Sequence, residues 1–273
     1  MNFDKFLDIE IPCKGIPTTE EAGRSFANKF GYACEDFEDR GVFNLQFLGC
    51  SWTQGGAGES TNSFSTHVCK RFSEIYGVKI GNWNMGLGSR SSDYMARTLL
   101  CSVDYLKPDI VFLTFPGIDR REYFMPDGRK IRYQVDWIWE SEANGPHWQK
   151  IGFAEREVIG HLNELVSPYD NYVNFLKNYK LIEMTLNMRD IMWGFSMVNT
   201  DYVIDPILKL LDAGWLDSAK YIGTPFVPID HYSEQDSHPG VESHKAFGEL
   251  IFNWFHDKYG SRLEQFFGEL KER

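Results

Sequence analysis

Basic residues are in short supply: 28 Lys and Arg stand against 39 Asp and Glu, for a formal net charge of −11. Binding phosphates takes clustered cations, so this balance argues against nucleic acid or an anionic membrane as the main partner. Cysteine is sparse as well. Five are scattered without Cys-x-x-Cys spacing, which predicts free thiols in a reducing compartment rather than a disulfide or zinc framework. No run of ~18 apolar residues occurs, so no bilayer-spanning helix is expected. The start, Met1-Asn2-Phe3-Asp4-Lys5-Phe6, lacks the basic-then-apolar layout of a signal peptide, and a cytoplasmic location is the expectation. Nothing in the chain sets an oligomeric state.

What is present suits one α/β domain. The 273 residues are 42% hydrophobic and 25% charged, enough to bury a full core, and aromatics concentrate between residues 123 and 195. Residues 1–40 read as a packing arm, with a short helix from Thr18/Thr19 to about Phe30. Val42–Gly49 is a buried strand, followed by a helix from Ser60 to Tyr76 closed by Gly77. Val78–Met85 is a second strand, Ser91 to Leu106 a second helix, and Asp109–Phe115 a strand apolar on both faces. This β-α-β-α-β succession predicts a parallel sheet with right-handed crossovers and helices on both faces. Residues 121–166 interrupt it as an aromatic-rich insertion, with a hairpin turning at Asp127-Gly128. Trp137, Trp139 and Trp148 in this segment are candidates for a substrate wall or lid, against the plainer expectation of a hairpin that buries its own aromatics. A long helix starts at Ser167-Pro168, with Ser as cap and Pro at the first helical position. Ile191–Val198, Tyr202–Leu211 and Tyr221–Val227 follow as strand, helix and fifth strand, and Val241 to Tyr259 as the closing helix.

Ligands bind open parallel sheets at the C-terminal edge of the strands, and several polar loops meet there. The first strand ends in Gly49-Cys50-Ser51-Trp52-Thr53, which places Ser51 at that edge, either as a nucleophile or as a mere turn cap. Asp236-Ser237-His238-Pro239 supplies a carboxylate and an imidazole two residues apart, whose side chains point the same way in an extended segment. Asp236 is placed to orient His238. Asn84-Met85-Gly86-Leu87-Gly88-Ser89 offers backbone N–H groups where glycine permits close approach. A metal site could be drawn from His231, Asp236, His238 and His244, but their spacing matches no helical His-x-x-x-His pair and no Cys joins them. A dinucleotide fingerprint would need Gly-x-Gly-x-x-Gly after the first strand. Only Gly86-x-Gly88 occurs, after the second, so no cofactor is expected.

These blocks resemble those of the SGNH (GDSL-type) hydrolases. Gly49-Cys50-Ser51 is similar to their first block, Gly-Asp-Ser, with Cys50 in the aspartate's place. Asn84-x-Gly86-x-Gly88 is similar to the second, Pro108–Asp119 takes the place of the third, and Asp236-x-His238-Pro239 resembles the fifth. The likeness runs from about residue 42 to 258, outside the arm and the insertion. It implies a flavodoxin-like three-layer α/β/α fold with a central five-stranded parallel sheet over residues 41–273, and a serine esterase or deacylase acting on a small-molecule or carbohydrate ester. On this resemblance Ser51 is the nucleophile, His238 the base and Asp236 its orienter, and the Ser51 and Gly88 N–H groups form an oxyanion hole with Ser89 and Asp119 beside it. The chain departs from the pattern twice: Asp236 stands two residues before His238 rather than the family's three, which leaves Asp230 or Glu234 as stand-ins, and in the third block, Pro116-Gly117-Ile118-Asp119, Ile118 replaces a hydrogen-bonding asparagine. Arg120 is the candidate replacement donor, with a salt bridge to Glu122 or Asp119 as its plainer role. A non-catalytic, carbohydrate-binding protein on the same fold is the competing expectation.

Overall fold

A computed structural model describes residues 27–55, 62–124, 130–133, 153–199 and 201–272. Strands β1 (Phe43–Gly49), β2 (Ile80–Asn84) and β3 (Ile110–Phe115) alternate with helices α1 (Ser51–Gln54), α2 (Phe64–Tyr76) and α3 (Ser92–Leu106). A hairpin of β4 (Arg121–Phe124) and β5 (Lys130–Tyr133) comes next, then α4 (Phe153–Leu165), α5 (Pro168–Met188), β6 (Met192–Met197) and α6 (Asp201–Asp212). A second hairpin, β7 (His231–Ser233) and β8 (Asp236–Pro239), leads into the long α7 (Val241–Lys271).

The main sheet is parallel, in the order β2-β1-β3-β6. Every residue of β1, β3 and β6 is buried, as expected of strands covered on both faces. One face packs Phe115, Phe195 and Tyr179 with α3 and α5. The other packs Phe47, Phe64, Phe112 and Phe255 with α2 and α7. Three layers result. Helix starts follow their local chemistry: Ser91 Oγ accepts from Tyr94 N, and Ser167 with Asp170 forms a reciprocal capping box ahead of Pro168.

The fifth strand is a correction. Tyr221–Val227 touches the edge of β6 only through isolated bridges, Phe195 to Tyr221 and Val198 to Phe226. Pro225 between them has no N–H to donate, so a continuous ladder cannot form, and the sheet among the described residues has four strands. The closing helix runs past Tyr259 to Lys271, with a kink at Tyr259 (φ −122°, ψ 16°). Of the arm, Tyr32 and Phe37 are buried in the core, and Phe37 meets Trp83 edge-on.

β4 and β5 pair antiparallel, Arg121 with Tyr133 through Phe124 with Lys130, and the expected turn at Asp127-Gly128 lies outside the described residues. The base of this hairpin is fixed to the core. The Glu122 carboxylate, with its side chain 4% exposed, takes two 2.8 Å bonds from Arg97 of α3. Asp93 of α3 accepts from Glu122 N and from Asn174 and Asn178 of α5. A planar guanidinium fork on a carboxylate sets angle as well as distance, so this root holds one geometry. Trp137, Trp139 and Trp148 lie outside the described residues.

Candidate active site

β1 stops at Gly49 because α1 begins against it: a Cβ at Gly49 would sit 2.1 Å from Thr53 Oγ1. Cys50 is the N-cap residue of α1 and is buried, while Ser51 is half-buried at its first position. Cys50 therefore packs beneath the turn and Ser51 is carried at the C-terminal edge of the sheet. The loop after β2 is tied to the same turn. Asn84 Nδ2 donates to Thr53 O (2.7 Å) and Ser65 Oγ (3.0 Å), and its Oδ1 accepts from Gly86 N (3.0 Å). A Cβ on Gly86 would fall 2.6 Å from Gln54 N, so only glycine lets the loop lie this close.

The extended segment that carries Asp236 and His238 is one strand of the β7–β8 hairpin, which turns at Glu234-Gln235 with Ser233 opposite Asp236. Strand periodicity puts Asp236 and His238 on one face, two residues apart. Asp236 Oδ1 accepts from both the His238 backbone N–H (3.0 Å) and ring Nδ1 (2.5 Å). His238 Nε2 lies 2.8 Å from Ser51 Oγ, across 187 residues of sequence. The backbone N–H of His238 and its imidazole together hold the Asp236 carboxyl below the usual carboxylate range, against a smaller opposing push from burial. Asp236 is thus an anion at neutral pH.

The stand-ins have other work. Asp230 accepts from Glu242 N (3.1 Å) and from Ser243 N (2.7 Å) and Oγ, which caps the start of α7. Burial raises its pKa, but the bonds from Ser243 and Glu242 prevail and bring it below the ordinary range. Glu234 lies exposed in the hairpin turn. His231 Nδ1 is 3.1 Å from Ser237 O, and His244 is buried, its Nδ1 accepting from Phe64 N (3.2 Å). Among the described residues no group of three or more His, Cys, Asp or Glu is arranged to hold a metal. No helix among them is long and apolar enough to cross a membrane.

The groups expected to form an oxyanion hole are arranged differently from the pattern that the resemblance implies. Gly88 N donates to Gln54 Oε1 at 3.0 Å, so that N–H is already engaged. Ser89 holds a left-handed φ of +56°, uncommon for a residue with a Cβ. Ile118 is 7% exposed and packs in the core cluster with Tyr94 and Phe115, a burial that stabilises by about 1.5–3 kcal/mol. Asp119 and Arg120 are half-buried in the turn after β3, where Arg120 N donates to Gly117 O (3.2 Å). Glu122 is taken by Arg97, and Arg120 forms no ion pair among the described residues. The sequence did not single out Gln54. Its one signal was position, three residues after Ser51 on a single helical turn.

Comparison with solved structures finds a protein described as a lipolytic member of the G-D-S-L family from Desulfitobacterium hafniense DCB-2, 12% identical over 77% of this chain and 98% of the other, with a TM-score of 0.45. TesA is 9% identical over 79% and 99%, with a TM-score of 0.47. The acetyl xylan esterase AlAXEase is 15% identical over 77% and 98%, with a TM-score of 0.44. No protein-family profile and no curated protein matches the chain. With TM-scores below 0.5 these likenesses carry no argument about chemistry, which rests on the residues above.

Proposed function

We propose that this chain is a serine hydrolase of the SGNH type that cleaves carboxylic esters through an acyl-enzyme. The observation that carries this is the unbroken chain Asp236 Oδ1–His238 Nδ1 (2.5 Å) and His238 Nε2–Ser51 Oγ (2.8 Å), assembled at a sheet edge from β8 and the end of β1. A serine hydroxyl is a weak nucleophile until a base takes its proton. His238 Nε2 is within reach to do so. Asp236, ionised and bonded to Nδ1, selects the tautomer with Nε2 free and stabilises the imidazolium that forms.

Attack by Ser51 Oγ on the ester carbonyl moves the carbonyl electron pair onto oxygen. The Ser51 backbone N–H, at the first position of α1, has no helical acceptor and is available to that oxyanion. Collapse expels the alcohol, which takes the proton from His238. Water, deprotonated by the same imidazole, then releases the acid and regenerates Ser51. No cofactor enters any step. A small-molecule or carbohydrate ester is the substrate class, with an acetyl or other short acyl group as the simplest cargo. Trp137, Trp139 and Trp148 are proposed as its stacking wall.

The buried Ile118 favours a second reading, a carbohydrate-binding protein on this fold without turnover. Short-chain aryl-ester hydrolysis by the wild type and Ser51→Ala separates the two. Turnover that falls by roughly 10⁵–10⁶ in kcat in Ser51→Ala supports the esterase. Glycan binding that survives Ser51→Ala, with no hydrolysis by the wild type, supports the binding protein.

A further inference from the structure

A hydrolase with this proton path needs hydrogen-bond donors at the position the oxyanion will occupy, and two of the three expected ones are spent. The side chain at 118 is an isoleucine, and the N–H of Gly88 already points at Gln54 Oε1. Gln54 itself is placed unusually. It follows Ser51 by three residues on the single turn of α1, the spacing that puts two side chains on one side of a helix. It is 8% exposed. Its carboxamide has one acceptor and two donor hydrogens; the acceptor is used, and Nε2 has no partner among the described residues. Nε2 is therefore reached by solvent rather than sealed in the core. An amide anchored through its oxygen, with both N–H donors unspent beside the candidate nucleophile, can offer them to an acceptor that the substrate brings.

We infer that Gln54 Nε2 donates the side-chain hydrogen bond to the tetrahedral oxyanion, in place of the asparagine that position 118 lacks. This rests on the serine-esterase reading of the same site. The Gly88 N–H then acts at one remove. By bonding Oε1 it fixes the plane of the amide before substrate arrives and polarises it, which makes the Nε2 hydrogens stronger donors. The tie from Asn84 to Thr53 O and Gly86 N holds the two ends of this arrangement, α1 and the β2 loop, at fixed separation. Preorganised donors of this kind act on the transition state and leave ground-state binding almost unchanged.

The experiment compares aryl-acetate kcat and KM, the affinity for a trifluoromethyl ketone that adds reversibly to the serine, and the melting temperature. It uses the wild type, Gln54→Glu, Gln54→Ala and Arg120→Met. Gln54→Glu keeps an acceptor for Gly88 N–H but removes the donor. The expected result is a fall of about 10²–10³ in kcat, KM within a few-fold, and a parallel loss of ketone affinity. Gln54→Ala is expected to lose at least about tenfold in kcat, with the freed Gly88 N–H recovering part of the deficit. Gln54→Ala as fast as wild type or faster overturns the inference, since Oε1 would then be a plug that substrate must displace. A loss carried by Arg120→Met, with Gln54→Glu at the wild-type rate, also overturns it. Each of these leaves the esterase reading standing. That reading fails separately, and the inference with it, if the wild type neither hydrolyses the ester nor binds the ketone.

Discussion

Two sides of Ser51 are built on different principles. On one, Asp236 and His238 sit two residues apart on a short strand, and a single geometric rule, side chains alternating along a strand, aligns both on the serine. On the other, the groups come from α1, the β2 loop and the turn after β3, and Asn84 and Gly86 knot the first two of these together. The proton path is compact and local in sequence apart from one long-range contact. The proposed anion side is distributed, and on the inference above the loss at one position, Ile118, is offset from another, Gln54. The first side tolerates little redesign, whereas the second can be rebuilt from whatever donor the neighbouring elements supply.

The largest effect short of removing the nucleophile falls on the proton path. Asp236→Asn reverses the hydrogen-bonding sense at Nδ1 and favours the wrong tautomer, and should lower kcat by about 10⁴ with the fold intact. Steady-state kinetics with a circular dichroism melt will check it. Asp230→Ala should invert that pattern. It removes the acceptor for Glu242 N and Ser243 N at the start of α7, costing about 1–2 kcal/mol in urea unfolding while kcat stays within a few-fold. If Asp230→Ala abolishes turnover in folded protein, the assignment of Asp236 as the orienting acid is wrong.

The narrowest effect, confined to acid pH and leaving turnover untouched, concerns His244, six residues after His238. Burial, with the His67 charge adding to it, lowers the His244 pKa to about 4, while Asp230 pulls weakly the other way. The unfolded chain, with an ordinary value near about 6.5, therefore binds more protons between those limits. Neutral His244 costs the fold nothing above pH ~6.5. As pH falls toward ~4 the folded state loses up to about 3 kcal/mol relative to the unfolded one. His244→Asn, whose amide oxygen can still accept from Phe64 N, should flatten stability against pH over that window without shifting the pH dependence of kcat/KM. A shifted rate profile would instead place His244 in the proton path.

Legibility in the sequence followed the same division. The apolar runs of β1, β3 and β6 were visible because strands covered on both faces need no alternation to be recognised. The contacts among Ser51, Asp236 and His238 could be anticipated because the three candidates lie in short contiguous motifs. The fifth strand was overestimated because Tyr221–Val227 is rich in β-forming residues, and Pro225 outweighs them by deleting one donor. The helix Phe153–Leu165 was absorbed into the aromatic insertion, whose composition hid its period. Asp230 looked catalytic because a carboxylate near a histidine reads the same whether it orients an imidazole or caps a helix. Gln54 was invisible for a related reason. Its use depends on where the Gly88 loop lies, and that is decided by Asn84 and Gly86, thirty residues away in sequence.

The central claim is that Ser51 is the nucleophile that His238 activates. Treating the wild type with a fluorophosphonate and locating the adduct by peptide mass spectrometry tests it most directly. One phosphonyl group per chain on Ser51, lost in His238→Ala, is the predicted result. No adduct, or one that forms on Ser51 at an undiminished rate without His238, would contradict it.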